Sequence, residues 1–570
     1  MRPMPQGPSS RRLATTLRLA GLLLLLLSLL PVAPVTAKRG RDRGPKAEKF
    51  SQTLKQQRNA RGRSRSQYVD VIIQVNKRDR KAFFKTQRRL GKRMKRNMYR
   101  LGMQTVRVRV SDLDRLENED AVTFVSEDQS LGAFTGETRK VANYPQEGFS
   151  VNTSYTGQGV TIAVLDSGVA DHVDLQNVIE HVDLTNTTSS SDDPDASYDD
   201  YGHGTHVAGI AAGSGQSENG DRRGVAPGAN VVDIKVLDGI GRGTVSSLLE
   251  GLEWVAANHQ RLNIRVVNMS LGGGVNQSAD TDPLVVAAEA LWDMGIVVVA
   301  SAGNYGWHGN FTVTSPGISR KIITVGSITD QGTYDDNADD YMSSFSSKGP
   351  SAIDHFIKPD LVAPGNRVVS PHSHGSVLEQ YLPWRVKPSA VGADPGVPWA
   401  DYNYFELSGT SMAAPLVAGT AALMLEKEPT LNPASIKARL MRSARKIPGD
   451  LVTVGAGVVD IDAALNETGY VADAPSPKIM VAEDGSGVLV EDTAALWGNA
   501  TFAADDLWSD GFLWSDGFLW SDGFLWSDGF LWSDGFLWSD GFLWSDGFLW
   551  SDTFDGKQGL SPNGVFNDDP

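Results

Sequence analysis

The chain has 570 residues, 41% of them hydrophobic and 21% charged, with a formal net charge of −15 at pH 7. It contains no cysteine, which excludes disulfides, thiolate nucleophiles and thiolate metal ligands, so a covalent catalyst must use an oxygen or nitrogen group. The charge is uneven: residues 38–110 carry 25 Lys and Arg against 4 Asp and Glu, ahead of a strongly acidic body, and an acidic partner within the same chain argues against nucleic acid as the target of the basic part.

At the N-terminus, Arg11-Arg12 precede an apolar run from Leu19 to Leu30, and Val35-Thr36-Ala37 supplies small residues for cleavage. Residues 1–37 are therefore expected to be a secretory signal peptide, and the product secreted or extracellular. Residues 38–66, rich in Arg, Lys, Gly and Ser, read as a basic disordered segment. Then Tyr68–Val75 predicts a strand, Lys81–Arg93 a basic helix, Val106–Val110 a strand, Ser111–Leu116 a short helix and Ala121–Val125 a strand. That order over 67–135 fits a small α/β ferredoxin-like sandwich.

From Val160 the pattern becomes strand–helix alternation. Val160–Leu165, Val231–Val236, Ile264–Met269, Ile296–Ala300 and Ile322–Val325 are continuous apolar runs of the buried parallel-strand type. Between them lie helical patterns at His203–Gly213, from Val245 to Ala256 and at Pro283–Asp293. The expectation is an α/β fold with a doubly wound, mostly parallel sheet over residues 136–470. Residues 471–506 read as a linker. Leu507-Trp508-Ser509-Asp510-Gly511-Phe512 then opens a six-residue repeat present eight times, to Phe554, with a tail over 555–570.

Four polar side chains stand in Gly-flanked blocks. Asp166 and Asn304 follow predicted strands, where ligands gather in open α/β sheets. His203 opens a small-residue helix, and Ser411 precedes the apolar run Leu416–Leu425. A serine hydroxyl is a poor nucleophile until a base takes its proton, and that base needs a partner to fix its tautomer. A Ser, a His and an Asp meet those needs, and an amide can donate to an oxyanion. Each block has a plainer reading as well. Asp166 can cap a helix, Asn304 can be a turn residue at positive φ, and His203 with His206 at i, i+3 can bind zinc, although no third ligand stands at a fixed local spacing. Pro415 is expected in the first turn of its helix, where a missing N–H costs nothing.

Val164-Leu165-Asp166-Ser167-Gly168, His203-Gly204-Thr205-His206-Val207-Ala208-Gly209, Asn268-Met269-Ser270-Leu271-Gly272-Gly273 and Gly409-Thr410-Ser411-Met412-Ala413-Ala414-Pro415 together resemble the subtilisin-like serine proteases (peptidase family S8), in particular their AprX-like branch. Phe345–Pro350 and Lys358–Gly365 extend the resemblance, which covers about residues 145–465. It implies that Ser411 is the nucleophile, His203 rather than His206 the base, Asp166 its orienting carboxylate and Asn304 an oxyanion donor. It implies a backbone edge at Ser270, Leu271 and Gly272 for extended substrate, and a primary pocket lined by Ala300, Ser301, Ala302 and Gly303. It further implies that Tyr68–Asp128 is an inhibitory propeptide, removed by self-cleavage between Glu127 and Asn143. Substrates would be proteins or peptides, and the chemistry requires no cofactor. Structural calcium stays open and unassigned, because Gly213–Arg223 does not resemble the familiar calcium loop.

Two insertions depart from that pattern, Ser189–Asp200 before His203 and His372–Tyr404 ahead of Ser411, and either can shape the cleft or bind an ion. The repeats admit two readings, a low-complexity tail or a solenoid that attaches the protein to a surface or polymer. The expected activity is that of a secreted, self-processed endopeptidase of broad specificity. The alternatives are a processing protease of narrow specificity and a surface-attached binding protein displayed through its repeats.

Overall fold

Among the described residues eight strands form the central layer, and the chain reaches them after a smaller sheet of its own. The computed structural model describes residues 49–59, 67–76, 94–133, 153–185, 199–330, 340–387, 404–447, 449–481, 488–503 and 507. The expected signal peptide, the Lys81–Arg93 helix, most of the acidic insertion and the repeats beyond Leu507 lie outside the described residues.

The segment 38–66 is not disordered throughout as expected from its composition: helix α1 (Gln52–Asn59) lies within it, with Phe50 and Leu54 buried. It leads into strands β1 (Tyr68–Val75), β2 (Met94–Met98) and β3 (Met103–Arg109), helix α2 (Leu113–Glu117) and strand β4 (Val122–Glu127). The sheet order is β2-β3-β1-β4, all neighbours antiparallel, which is the strand order of a ferredoxin-like sandwich. Period two assigns the two faces. Val71, Ile73 and Val75 of β1 pack with Phe50, Leu54, Val106, Val108, Leu113 and Leu116 in a core belonging to this layer. Ile72, between them, points the other way and joins Met98, Leu101 and Met103 in the main core. The small sheet is therefore a sandwich whose second face lies against the body.

Strand β5 (Ser130–Ala133) leaves this layer, and the body follows: β6 (Thr161–Asp166), β7 (Val178–Asp183), α3 (His203–Ala212), β8 (Asn230–Lys235), β9 (Arg242–Thr244), α4 (Val245–Leu262), β10 (Ile264–Met269), β11 (Leu271–Gly272), α5 (Pro283–Trp292), β12 (Val297–Ser301), β13 (Ile323–Thr329), β14 (Tyr341–Met342) and β15 (Leu361–Pro364). The central order is β14-β13-β12-β10-β6-β8-β7, with β15 also on β13. Every pairing is parallel except β13 with β14. The order reverses beside β6, so the carboxyl ends of β6, β10 and β12 open onto one crevice. The five predicted strands are all present. Their runs are unbroken because β6, β10, β12 and β13 are buried at nearly every position.

Beyond β15, strands β16 (Val368–Pro371), β17 (Val386–Lys387) and β18 (Tyr404–Leu407) make a separate antiparallel sheet, with helix α6 (Val377–Tyr381) between the first two. Helix α7 (Thr410–Lys427) is buried from Thr410 to Leu425 and packs on β10, β12, β13 and α3. The stretch after Tyr470 is not the patternless linker expected from composition. It holds a strand pair, Ile479–Val481 with Val488–Val490, and a helix at Thr493–Trp497. Trp497 and Phe502 are buried in the main core. Its anchor is a buried charge cluster in which Asp360 accepts from Lys358 Nζ (2.7 Å), Lys437 Nζ (3.0 Å) and Ser476 Oγ (2.6 Å). Burial lowers Lys358 to about 7, and the neighbouring Asp360 carboxylate opposes that shift.

Candidate active site

Asp166 is the last residue of β6, His203 the first of α3, Ser411 the second of α7, and Asn304 follows β12 by three positions. All but Asn304 are fully buried. His203 Nδ1 lies 2.7 Å from Asp166 Oδ1, which also accepts the Ser167 N–H at 2.8 Å. A carboxylate on Nδ1 selects the tautomer with its proton there and leaves Nε2 as the base. Nε2 is buried and has no hydrogen-bond partner among the described residues.

The approach that makes this contact requires glycine. A Cβ on Gly204 would sit 2.1 Å from the Gly168 carbonyl oxygen and 3.1 Å from Asp166 Cβ, so only a bare α-carbon lets α3 meet the turn after β6. The start of α3 is held by Asp199, a fully buried carboxylate. It accepts from Gly202 N (2.8 Å), Thr205 N (2.8 Å), Thr205 Oγ1 (2.6 Å) and Ser167 Oγ (2.8 Å). Burial raises its pKa, and these four bonds act against the rise. Sequence reading missed this role, because Asp199 stands in an acidic run that looks like solvated loop. The available signal is an Asp just ahead of a helix start.

His206 is turned elsewhere. Its Nε2 lies 3.1 Å from the Val368 carbonyl and 2.9 Å from that of Phe405. Burial first, and the nearby His203 second, lower it to about 3, so it stays neutral and ties β16 and β18 to α3. The two histidines therefore do not share a metal.

Ser411 and Ser270 exchange two hydrogen bonds. Ser411 Oγ donates to Ser270 O at 2.9 Å, and Ser270 Oγ donates to Ser411 O at 2.8 Å. The second bond explains Pro415, which lies in the second turn of α7 and not the first as expected. Its missing N–H would have served the carbonyl four residues back, that of Ser411, and Ser270 takes that place. Asn268 Nδ2 in turn donates to Ser270 Oγ at 3.0 Å. In this rotamer the Ser411 hydroxyl faces Ser270 and not His203, so one link of the expected hydrogen-bonded line is not formed.

Asn304 is fixed from one side only. Its Oδ1 accepts from Thr410 N (3.0 Å) and Thr410 Oγ1 (2.9 Å), and Thr410 Oγ1 accepts the Gly303 N–H at 3.1 Å. Nδ2 is left buried and without a partner among the described residues. The positive φ belongs to Gly303, at 104°, and not to Asn304, so the turn reading of Asn304 does not apply.

Ala300 and Ser301 end β12, paired to Met269 and to Thr324 and Val325. Ala302 N donates to Val325 O at 2.9 Å, and Ala302 O accepts from Thr314 N at 3.0 Å. These residues and Gly303 are buried. Leu271 and Gly272 form β11, and their partner is the chain itself. In the sheet β11-β5-β9, Leu271 pairs with Ala133 and Gly272 with Gly132, while Ser130 pairs with Thr244. Helix α4 secures the approach to that strand. Its Ser246 N and Oγ donate to Asp128 at 2.9 and 2.8 Å, and Glu253 accepts from Arg100 N (2.9 Å) and Leu101 N (3.0 Å). Arg96 Nη1 meets Glu250 Oε2 at 2.5 Å, a basic leader on an acidic surface.

Comparison with known proteins places the chain in a family. Residues 157–458, more than half of the chain, match the family model described as the subtilase family. Serine protease AprX of Bacillus subtilis is 39% identical over 332 residues, 57% of this chain and 70% of its own length. Subtilisin DY of Bacillus licheniformis is 33% identical over 312 residues, covering 54% of this chain and 92% of the relative. Fervidolysin of Fervidobacterium pennivorans, a keratinolytic enzyme related to subtilisin, superposes with a TM-score of 0.53 at 20% identity, covering 74% of this chain and 63% of that one. That last likeness is one of fold. Among the described residues no helix is long and apolar enough to cross a membrane.

Proposed function

The chain belongs to the subtilase family of serine endopeptidases, and from that premise we propose that Asp166, His203 and Ser411 form its catalytic triad, with Asn304 as the oxyanion donor. The observation that carries the reading is a pair of buried polar atoms. His203 Nε2 and Asn304 Nδ2 have no partner among the described residues, while the opposite face of each side chain is bonded and fixed. Leaving such atoms bare costs stability; a reacting acyl oxygen would accept from Asn304 Nδ2, and the Ser411 hydroxyl, once turned from Ser270, would donate to His203 Nε2.

The Ser411 hydroxyl exchanges its bond to Ser270 O for one to His203 Nε2, which takes the proton as Oγ adds to the scissile carbonyl. Asp166 stabilises the imidazolium, and His203 then returns the proton to the leaving amine, giving an acyl-enzyme that water hydrolyses by the same route. The oxyanion receives Asn304 Nδ2–H and the N–H of Ser411, which at the second position of α7 has no intrahelical acceptor. These side chains suffice for the reaction. Substrate adds as a strand to Leu271–Gly272, with Ser270 fixed beside them and Ala300–Gly303 lining the primary pocket.

The pairing of Ser130–Ala133 with that edge supports a second part of the proposal. Residues 67–133 act as an intramolecular inhibitor, and self-cleavage falls after Ala133 and before Asn143. The product is a secreted endopeptidase of broad specificity. Secreted wild-type protein should begin within that window and cleave casein. The Ser411→Ala chain should stay uncut and inactive. Equal processing and equal activity of the two would overturn the assignment.

A further inference from the structure

The insertion that follows β16 carries a cluster the peptidase chemistry does not use. His372, His374 and Glu379 each offer one ligand atom, and all three atoms lie within 4.8 Å of one another. His372 Nε2 is 3.5 Å and His374 Nδ1 is 3.4 Å from Glu379 Oε2. Zinc–nitrogen bonds of about 2.0–2.1 Å and zinc–oxygen bonds of about 2.0–2.2 Å set the edges of a tetrahedral site near 3.3–3.5 Å. The two measured edges match.

The second observation is His372 itself. Its side chain is 2% exposed, its ring stacks on Phe405 at 5.3 Å and 16°, and neither ring nitrogen has a hydrogen-bond partner among the described residues. Helix capping explains part of the cluster only. Glu379 is the third residue of α6 and accepts the Gly375 N–H, a variant of the capping box. A cap does not call for a buried imidazole beside it whose nitrogens make no hydrogen bond among the described residues. A buried neutral imidazole is a ready metal ligand, and two imidazoles with one carboxylate suit zinc and its neighbours rather than calcium or magnesium, which take oxygen.

The geometry points to a divalent transition-metal site of the zinc class at His372, His374 and Glu379, with a fourth position left to water. The site is tied to the catalytic base through the backbone. Ser373 Oγ donates to Asp199 O (2.7 Å), Val377 N to Asp200 O (2.8 Å) and Leu378 N to Tyr201 O (3.1 Å). Asp199 holds the Gly202 and Thr205 amides at the start of α3. The ion closes the loop 372–379 against the turn that presents His203, in a secreted chain with no disulfide to do so.

The test uses the full chain carrying Ser411→Ala, so that it stays intact, stripped with EDTA and titrated calorimetrically with Zn²⁺. The expected result is one equivalent that is lost, or weakened at least a hundredfold, in His374→Ala, whose ring is 54% exposed and whose removal leaves the fold alone. Glu379→Gln and His372→Ala should behave alike. Co²⁺ should give the intense visible bands of a tetrahedral site in the parent and not in His374→Ala. Thermal unfolding should shift upward with Zn²⁺ in the parent only, and Ca²⁺ should not compete. Absence of Zn²⁺ binding, or equal stoichiometry and affinity in the parent and His374→Ala, would overturn the assignment.

Discussion

Glu253→Ala tests how the leader is held. The carboxylate is 14% exposed and accepts two backbone N–H groups of the β2–β3 turn, from Arg100 at 2.9 Å and Leu101 at 3.0 Å. Arg100 is exposed, so water replaces much of its bond once the carboxylate is gone. Leu101 is 1% exposed, and its amide would be left bare at the interface. A hydrogen bond to a charged group is worth about 1.5–3 kcal/mol, and a buried orphan costs about 1–3 kcal/mol. The sum for this pair is about 3 kcal/mol, or roughly a hundredfold in the dissociation constant of the cut leader. After self-processing, the enzyme is diluted in steps and its activity on a fluorogenic peptide is read at each. The variant should reach half-activation at roughly a hundredfold higher concentration than wild type. Glu253→Gln, which keeps one acceptor, should fall between. Coincident activation curves would refute the argument that this helix face holds the leader on the cleft.

Three further outcomes are expected. Asn304→Asp keeps an acceptor for Thr410 but loses the donor aimed at the oxyanion, so kcat should fall about 10²–10³-fold, the loss known for subtilisin's own donor, with KM nearly unchanged; a rise in KM at constant kcat would place Asn304 in ground-state binding instead. Asp199→Asn cannot accept from both pairs of donors, and should lower stability by about 2–4 kcal/mol in denaturant unfolding and reduce kcat as α3 loosens; full activity at full stability would remove Asp199 from this role. His206 is held at about 3 by burial, below the 6.5 of the unfolded chain, so the folded state binds fewer protons between those values. Stability should therefore fall as pH drops from 6.5 toward 3, by up to roughly 4–5 kcal/mol from this group, and His206→Gln should flatten that slope in denaturant titrations at pH 6.5 and 4; equal slopes would contradict it.

The central sheet was legible because its strands are buried on both faces, which writes unbroken apolar runs such as Ile162–Leu165. Strand β7 was not, since Val178–Asp183 alternates half-buried with exposed positions at the sheet edge and carries polar residues at half of them. The four proposed site residues stood out because the close approach around them demands small neighbours, Gly204 above all. What could not be read locally depends on partners far along the chain. The duty of His206 is set by carbonyls of Val368 and Phe405, and the place of Ser130–Ala133 by β9 and β11. Asp199 was hidden by its company, since nothing in an acidic run marks the one carboxylate that is buried. The stretch after Tyr470 hid for a related reason. Few apolar residues anchor it, and Trp497 and Phe502 reveal themselves only by packing into the main core.

The most direct measurement of the central claim is covalent trapping. Mature enzyme treated with a fluorophosphonate, digested and mapped by mass spectrometry should carry one adduct, on Ser411. Labelling should be abolished in His203→Ala and slowed in Asp166→Asn. An adduct on another residue with loss of activity, or undiminished labelling of Ser411 without His203, would contradict the account.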